Sequence, residues 1–127
     1  VTTLKTILVL IVDDSEFVRS YHSYILEHAH FQVVTAIDGS DGLEKLYTNA
    51  CDLILTDINM SNMDGYEFIR RVRADENFKT LPIIIVSTAG EAKDKMKGFE
   101  AGANLYLVKP CEPEMMVENV RMILNAN

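Results

Sequence analysis

The residues of this chain that could do chemistry stand, one group after another, at the ends of apolar runs. Asp13 and Asp14 follow the run that closes at Val12, and Asp57 follows one that closes at Thr56. Ser87 and Thr88 end a third run, and Lys109 follows Val108 at the end of a fourth. Three carboxylates gathered at one place repel each other, and without a counter-charge one is driven toward protonation. A hard divalent cation removes the conflict. Mg²⁺ suits best, because it takes a few carboxylates, keeps waters and leaves room for phosphate oxygens. A carboxylate beside such an ion can act as a nucleophile toward a phosphoryl group. The cation and the Lys109 ammonium would stabilise charge spread over the equatorial oxygens, with a hydrogen bond from Ser87.

These groups meet only if the elements between them bring the run ends together. The runs Thr6–Val12, Gln32–Ala36, Asp52–Thr56, Ile83–Ser87 and Leu105–Val108 are rich in Ile, Val and Leu without alternation. That pattern predicts strands of a parallel sheet covered on both faces. Amphipathic stretches lie between them. Over 15–29 the spacing predicts a helix burying Phe17, Tyr21, Tyr24, Ile25 and Ala29, and over 91–103 one burying Ala92, Met96, Phe99 and Ala103. A last helix over 113–125 carries Met116, Val117, Val120, Ile123 and Leu124, with Pro113 suited to its first turn. Asp64 with Glu67 forms a capping-box pattern ahead of the third helix, and Gly102 stands where the fourth would end. Strand and helix alternate five times, which predicts an α/β fold, a five-stranded parallel sheet doubly wound as (βα)5; the order expected for it is 2-1-3-4-5, flavodoxin-like. Ligands of such sheets bind outside the carboxyl ends of the strands, where strand order reverses. Asp13, Asp14 and Asp57 would converge there, with Ser87 and Lys109 close by.

Composition sets the outer limits. The 127 residues suffice for one domain with a real core, and no repeat or linker divides them, so 1–127 reads as a single domain. A formal charge of −7 gives no electrostatic support for binding a nucleic-acid backbone, and favours a phosphodonor protein or a cation as partner. The apolar run Ile7–Val12 is far too short to span a bilayer. Cys51 and Cys111 are the only cysteines, and no signal-peptide pattern opens the chain, so a cytoplasmic location is expected. The two cysteines fall at opposite edges of the expected sheet, beyond disulfide reach, and should stay free thiols. The chain begins with Val1 rather than Met, as a processed or excised chain would. His22, His28 and His30 read as surface histidines, since no Cys or carboxylate completes a metal geometry around them.

The motifs taken together resemble the receiver domains of two-component response regulators, CheY-like proteins. They are Val12-Asp13-Asp14, Asp57-x-Asn59-Met60-x-x-Met63-Asp64-Gly65, Ser87-Thr88, Ala101-Gly102-Ala103 and Tyr106-x-x-Lys109-Pro110, and the resemblance runs from about Ile7 to Leu124. It implies that Asp57 is the phosphoacceptor, with Asp14 a direct Mg²⁺ ligand and Asp13 acting largely through water. It further implies that the backbone carbonyl of Asn59 is the third protein ligand, and that Ser87 and Lys109 bind the phosphoryl group. Tyr106 resembles the aromatic member of a switch with Ser87 and Thr88, and Lys109-Pro110 the family's cis peptide. The implied partners are a sensor histidine kinase or phosphotransfer protein, and an effector or output domain engaging the surface of residues 91–125. The implied role is a phosphorelay switch that assists its own phosphorylation and dephosphorylation, not an enzyme acting on outside substrates.

The sequence departs from the family pattern in three places. Ser61 stands where Pro is usual, Thr88 where Ala or Gly is favoured, and Cys111 where Phe is common. Ser61 should leave the loop after Asp57 freer, and Thr88 should narrow access to the phosphoryl group. Rival readings are weaker. A haloacid-dehalogenase-like phosphatase needs a second Asp two positions after its nucleophile, where this chain has Asn59. A flavodoxin-type FMN carrier needs a hydroxyl- and glycine-rich loop after the first strand, which is missing. A pseudo-receiver would lack some of the phosphorylation residues, and all are present.

Overall fold

The structure is a computed structural model and describes residues 6–125. Val1 and the outer limits of the 1–127 domain therefore lie outside the described residues. Five parallel strands, β1 (Leu8–Val12), β2 (Gln32–Ala36), β3 (Leu53–Thr56), β4 (Ile83–Ser87) and β5 (Leu105–Val108), form one sheet of order β2-β1-β3-β4-β5. The helices are α1 (Glu16–His28), α2 (Gly39–Thr48), α3 (Gly65–Ala74), α4 (Ala92–Ala101) and α5 (Pro113–Leu124), and a short 3₁₀ turn, Glu76–Phe78, precedes β4. The fold is the expected doubly wound one.

Why the strands lack alternation is visible in where their side chains go. Leu10, Val12, Ile54, Ile83 and Ile85 pack on one face with Leu46 of α2, Phe68, Ile69 and Val72 of α3 and Ala101 of α4. Val9, Ile11, Leu53, Leu55, Ile84 and Val86 pack on the other with Ile25 and Leu26 of α1 and Met116 and Val120 of α5. The central strands β3 and β4 are buried along their whole length, so their successive residues are nearly all apolar, whereas the edge strand β2 carries Gln32 and Thr35. Each fully buried Leu, Ile or Val contributes roughly 1.5–3 kcal/mol. The helix ends follow the sequence signals. Ser15, Asp38 and Asp64 cap α1, α2 and α3 by accepting from Val18, Asp41 and Glu67 N–H groups, Gly102 ends α4 with φ 123°, and Pro113 opens α5.

Several expectations need correction. β1 starts at Leu8 and β3 at Leu53, each later than the apolar runs suggested. The α1 stripe is turned: His22, Ile25 and Leu26 are buried, whereas Phe17 is 78% exposed and Tyr21 and Tyr24 are also exposed. In α4 the buried residues are Gly98 and Ala101, and Met96 and Phe99 face solvent. The reason is packing distance. At Gly98 a Cβ would stand 2.6 Å from Ile85 Cδ1, so the sheet admits only the small side of that helix. Asp64 caps α3, but Glu67 does not complete a capping box. Its carboxylate pairs instead with Arg70 at 3.2 Å and Arg71 at 3.0 Å. The cis Lys109-Pro110 peptide is present.

Candidate functional site

The sheet order places the carboxyl ends of β1 and β3 side by side, since Val12 pairs with Thr56. Asp13 and Asp14 therefore emerge next to Asp57, and ligand oxygens of all three lie within 4.8 Å of one another. β5 lies beyond β4 and delivers Lys109 to the same place, its amide donating to Ser87 O at 2.8 Å. The Lys109 Nζ reaches Asp13 Oδ2 at 3.0 Å and Asp57 Oδ2 at 3.3 Å. Asp13 is nearly buried, and its Oδ1 accepts from Ser15 N at 2.9 Å. Asp57 Oδ1 accepts from Ile58 N at 2.7 Å. Burial pushes the Asp57 carboxyl above its usual range, against the opposing pull of the Ile58 N–H and of Lys109. Asp14 is exposed at the rim.

A divalent metal ion fits this donor set. Three carboxylates face one ammonium, leaving negative charge that a hard cation can neutralise with oxygen ligands. Asn59 lies two residues beyond Asp57 in the loop Asn59–Asp64, on the same side of the sheet. That loop is tight at its base. Gly65 N donates to Ile58 O at 2.8 Å, and a Cβ on Gly65 would stand 2.2 Å from Asp57 O.

Ser87 is fully buried, and its Oγ accepts from Ala89 N at 3.1 Å. Thr88 is exposed, so its bulk points away from the packed interior. Tyr106 is half-buried, its hydroxyl donating to Ala89 O in the loop after β4. Its ring lies against Gly98, where an added Cβ would meet Cδ2 at 3.1 Å. Burial pushes the Tyr106 phenol up to about 12. The loop after β4 is thus held at Ala89, through its amide and its carbonyl, by two of the residues singled out as a switch.

One neighbour of the site escaped the sequence reading. His22 is not a surface histidine; it is 6% exposed and lies under the site with Asp13, Thr56 and Asp57, around a gap with no room for a water molecule. Burial pulls its imidazole down from 6.5 to about 4, aided by Lys109 and opposed by Asp13. The signal was available: Val18, His22, Ile25, Leu26 and Ala29 make an alternative stripe on α1, concealed by the polar residue within it. His28 and His30 are exposed, as read. Cys51, before β3, and Cys111, after β5, are both free. No helix among the described residues is long and apolar enough to cross a membrane.

The family model of the response regulator receiver domain matches residues 9–121. Chemotaxis protein CheY1 of Helicobacter pylori (strain J99) is 36% identical over 120 residues, which cover 93% of this chain and 97% of that protein. Response regulator ArlR of Staphylococcus saprophyticus is also 36% identical, over 116 residues, but the chain spans only 51% of its length. Among solved structures, chemotaxis protein CheY4 of Vibrio cholerae superposes with a TM-score of 0.89 at 35% identity, covering 94% of this chain and 99% of that one.

Proposed function

The chain belongs to the response regulator receiver domain family of two-component signalling, and on that premise we propose that residues 1–127 act as a single Mg²⁺-dependent receiver phosphorylated on Asp57. The observation that carries the reading is the meeting of Asp13, Asp14 and Asp57 oxygens within 4.8 Å, with Lys109 Nζ 3.3 Å from Asp57.

An Asp57 oxygen attacks the phosphorus of a phosphohistidine on a sensor kinase or phosphotransfer protein. The P–N bond breaks, its electron pair returns to the imidazole, and an acyl phosphate forms on Asp57. Asp14, Asp57 and the Asn59 carbonyl would hold Mg²⁺ directly and Asp13 through water, and the ion supplies charge neutralisation at the transferring phosphoryl oxygens. Lys109 must then exchange its Asp57 contact for a phosphoryl oxygen, and Ser87 must donate its hydroxyl to another, drawing its oxygen away from the Ala89 N–H that it accepts from. That exchange frees the loop after β4, which Tyr106 also grips. The chain is thus a regulatory switch that assists its own phosphorylation and dephosphorylation.

The output surface is α4, β5 and α5, within residues 91–125. Met96, Phe99, Val108, Met115 and Met122 are exposed on these elements, and apolar side chains left in water support docking of an effector protein or output domain. The net charge of −7 argues against direct contact with nucleic acid. A cytoplasmic location and a partner on the kinase side follow from the same reading.

Thermal melts with and without Mg²⁺ test the metal reading on wild type and Asp14→Ala. A ligand at a hundredfold its Kd adds about 2.7 kcal/mol, so the wild-type midpoint should rise by several degrees. Asp14→Ala should fold but show almost no rise. A full Mg²⁺-induced rise in that variant would remove Asp14 from the ligand set.

A further inference from the structure

We propose that the Asn62 amide and the Asp38 carboxylate form a positioning pair that holds the Asn59 carbonyl in place for the cation; the inference rests on the Mg²⁺ reading above. The loop after Asp57 lacks a stiffening Pro at position 61, where Ser stands. It is nevertheless sharply turned. Met63 N donates to Ser61 O at 2.8 Å, and Asn62 between them has φ 70°. A three-residue turn with positive φ at its centre is a rare and strained form, tolerated best by Gly, Asn and Asp. Such a conformation persists only where its surroundings hold it.

The hold comes from the neighbouring loop between β2 and α2. Asn62 Nδ2 donates to Asp38 Oδ2 at 3.1 Å, while Asp38 Oδ1 accepts from Asp41 N at 2.9 Å as the cap of α2. Asp38 is itself buried, at 8% exposure, so its carboxylate is a fixed point rather than a mobile surface group. The next residue along repeats the contact. Met63 lies so closely over Gly39 that a Cβ there would stand 2.7 Å from its sulfur. Two consecutive loop residues thus clasp the N-cap and the first residue of α2. At its other end the loop is fixed by Ile58, whose N–H donates to Asp57 Oδ1 and whose carbonyl accepts from Gly65 N. Only Asn59, Met60 and Ser61 lie between the anchors. The position of the Asn59 carbonyl is therefore set from both sides, and the Asp38 contact supplies the restraint that a Pro at 61 would supply locally. Without it the strained turn relaxes, and ordering the loop becomes a cost of binding the cation.

The test uses Mg²⁺ itself, titrated calorimetrically into the wild-type chain, into Asn62→Gly and into the swap Asp38→Asn with Asn62→Asp. Gly accepts the positive φ but loses the donor. The swap rebuilds the hydrogen bond with its polarity reversed, and the amide oxygen that Asp38→Asn introduces can still cap α2. Losing one hydrogen bond to a charged group should weaken Mg²⁺ binding about fivefold in Asn62→Gly, with recovery to within about twofold in the swap. The metal-free melting midpoint should stay nearly constant, while amide exchange over residues 59–64 speeds up in Asn62→Gly alone. Asn62→Gly with wild-type affinity, or a swap as weak as Asn62→Gly, overturns the pair and leaves the Mg²⁺ reading standing. A wild-type chain that binds no Mg²⁺ overturns that reading and the pair with it.

Discussion

Replacing His22 by Leu should remove most of the chain's acid sensitivity between pH 6.5 and 4. The imidazole keeps its ordinary 6.5 in the unfolded chain, but burial beneath Asp13 and Asp57 pulls it down to about 4 in the fold. The lowered value means that the fold favours the neutral ring. Above about pH 7 both states are neutral and nothing is lost. As pH falls through 6.5 the unfolded chain takes a proton that the folded chain refuses, and stability drains away until the folded ring also titrates near 4. The loss reaches about 2 kcal/mol at pH 5 and about 3 kcal/mol once both forms are charged. Asp57 acts in the opposite sense, since its raised carboxyl lets the fold take up a proton in acid, but wild type and variant share that term. Urea unfolding of both metal-free proteins, at about pH 7.5 and about pH 5, isolates the histidine. Leu has a similar volume and no proton to gain, so the wild type should lose about 2 kcal/mol more than the variant between the two conditions. Parallel losses in the two proteins would mean that His22 finds a way to be charged in the fold, and that the packing beneath the site opens to water.

Gly65→Ala should destabilise the fold by about 3 kcal/mol and slow phosphorylation, because its Cβ would meet backbone atoms of Asp57 and Ile58 that have no room to move; chemical denaturation and acetyl phosphate labelling check both effects, and a wild-type-like variant would show that the loop is soft. Tyr106→Ala should accept phosphate at close to the wild-type rate yet fail to signal through its effector, since it loses the ring that grips the loop after β4 but no group that touches phosphate. Structures with and without beryllofluoride supply the geometry, and a Tyr106 ring unchanged in both, with normal signalling by the Ala variant, would reduce it to packing.

Most of what positions the site was legible in the sequence, because alternation of element types marks a doubly wound parallel sheet, and such sheets gather their functional residues at the carboxyl ends of the strands. β2, β4 and β5 have the bounds that their apolar runs mark, Asp13, Asp14 and Asp57 meet as end residues of the neighbouring strands β1 and β3 should, and the long Lys109 side chain reaches them from beyond β4. The helices were less legible, because an apolar stripe does not say which way it faces. In α1 two stripes competed, and the one with more aromatic rings lost to the one containing His22. In α4 the small residues Gly98 and Ala101, not the large Met96 and Phe99, mark the packed side, since close approach to the sheet favours small volume over apolar area. Side-chain ties such as Asn62 to Asp38 join residues far apart in sequence through loops of irregular shape, and no periodicity announces them.

The central claim, that Asp57 accepts the phosphoryl group, is tested most directly by intact-mass measurement after incubation with acetyl phosphate and Mg²⁺. The wild-type chain should gain the mass of one phosphoryl group, lose that gain when Mg²⁺ is chelated beforehand, and show none as Asp57→Asn. An equal mass gain in Asp57→Asn would contradict the account, because the acceptor would then be another residue and the converging carboxylates would need a different explanation.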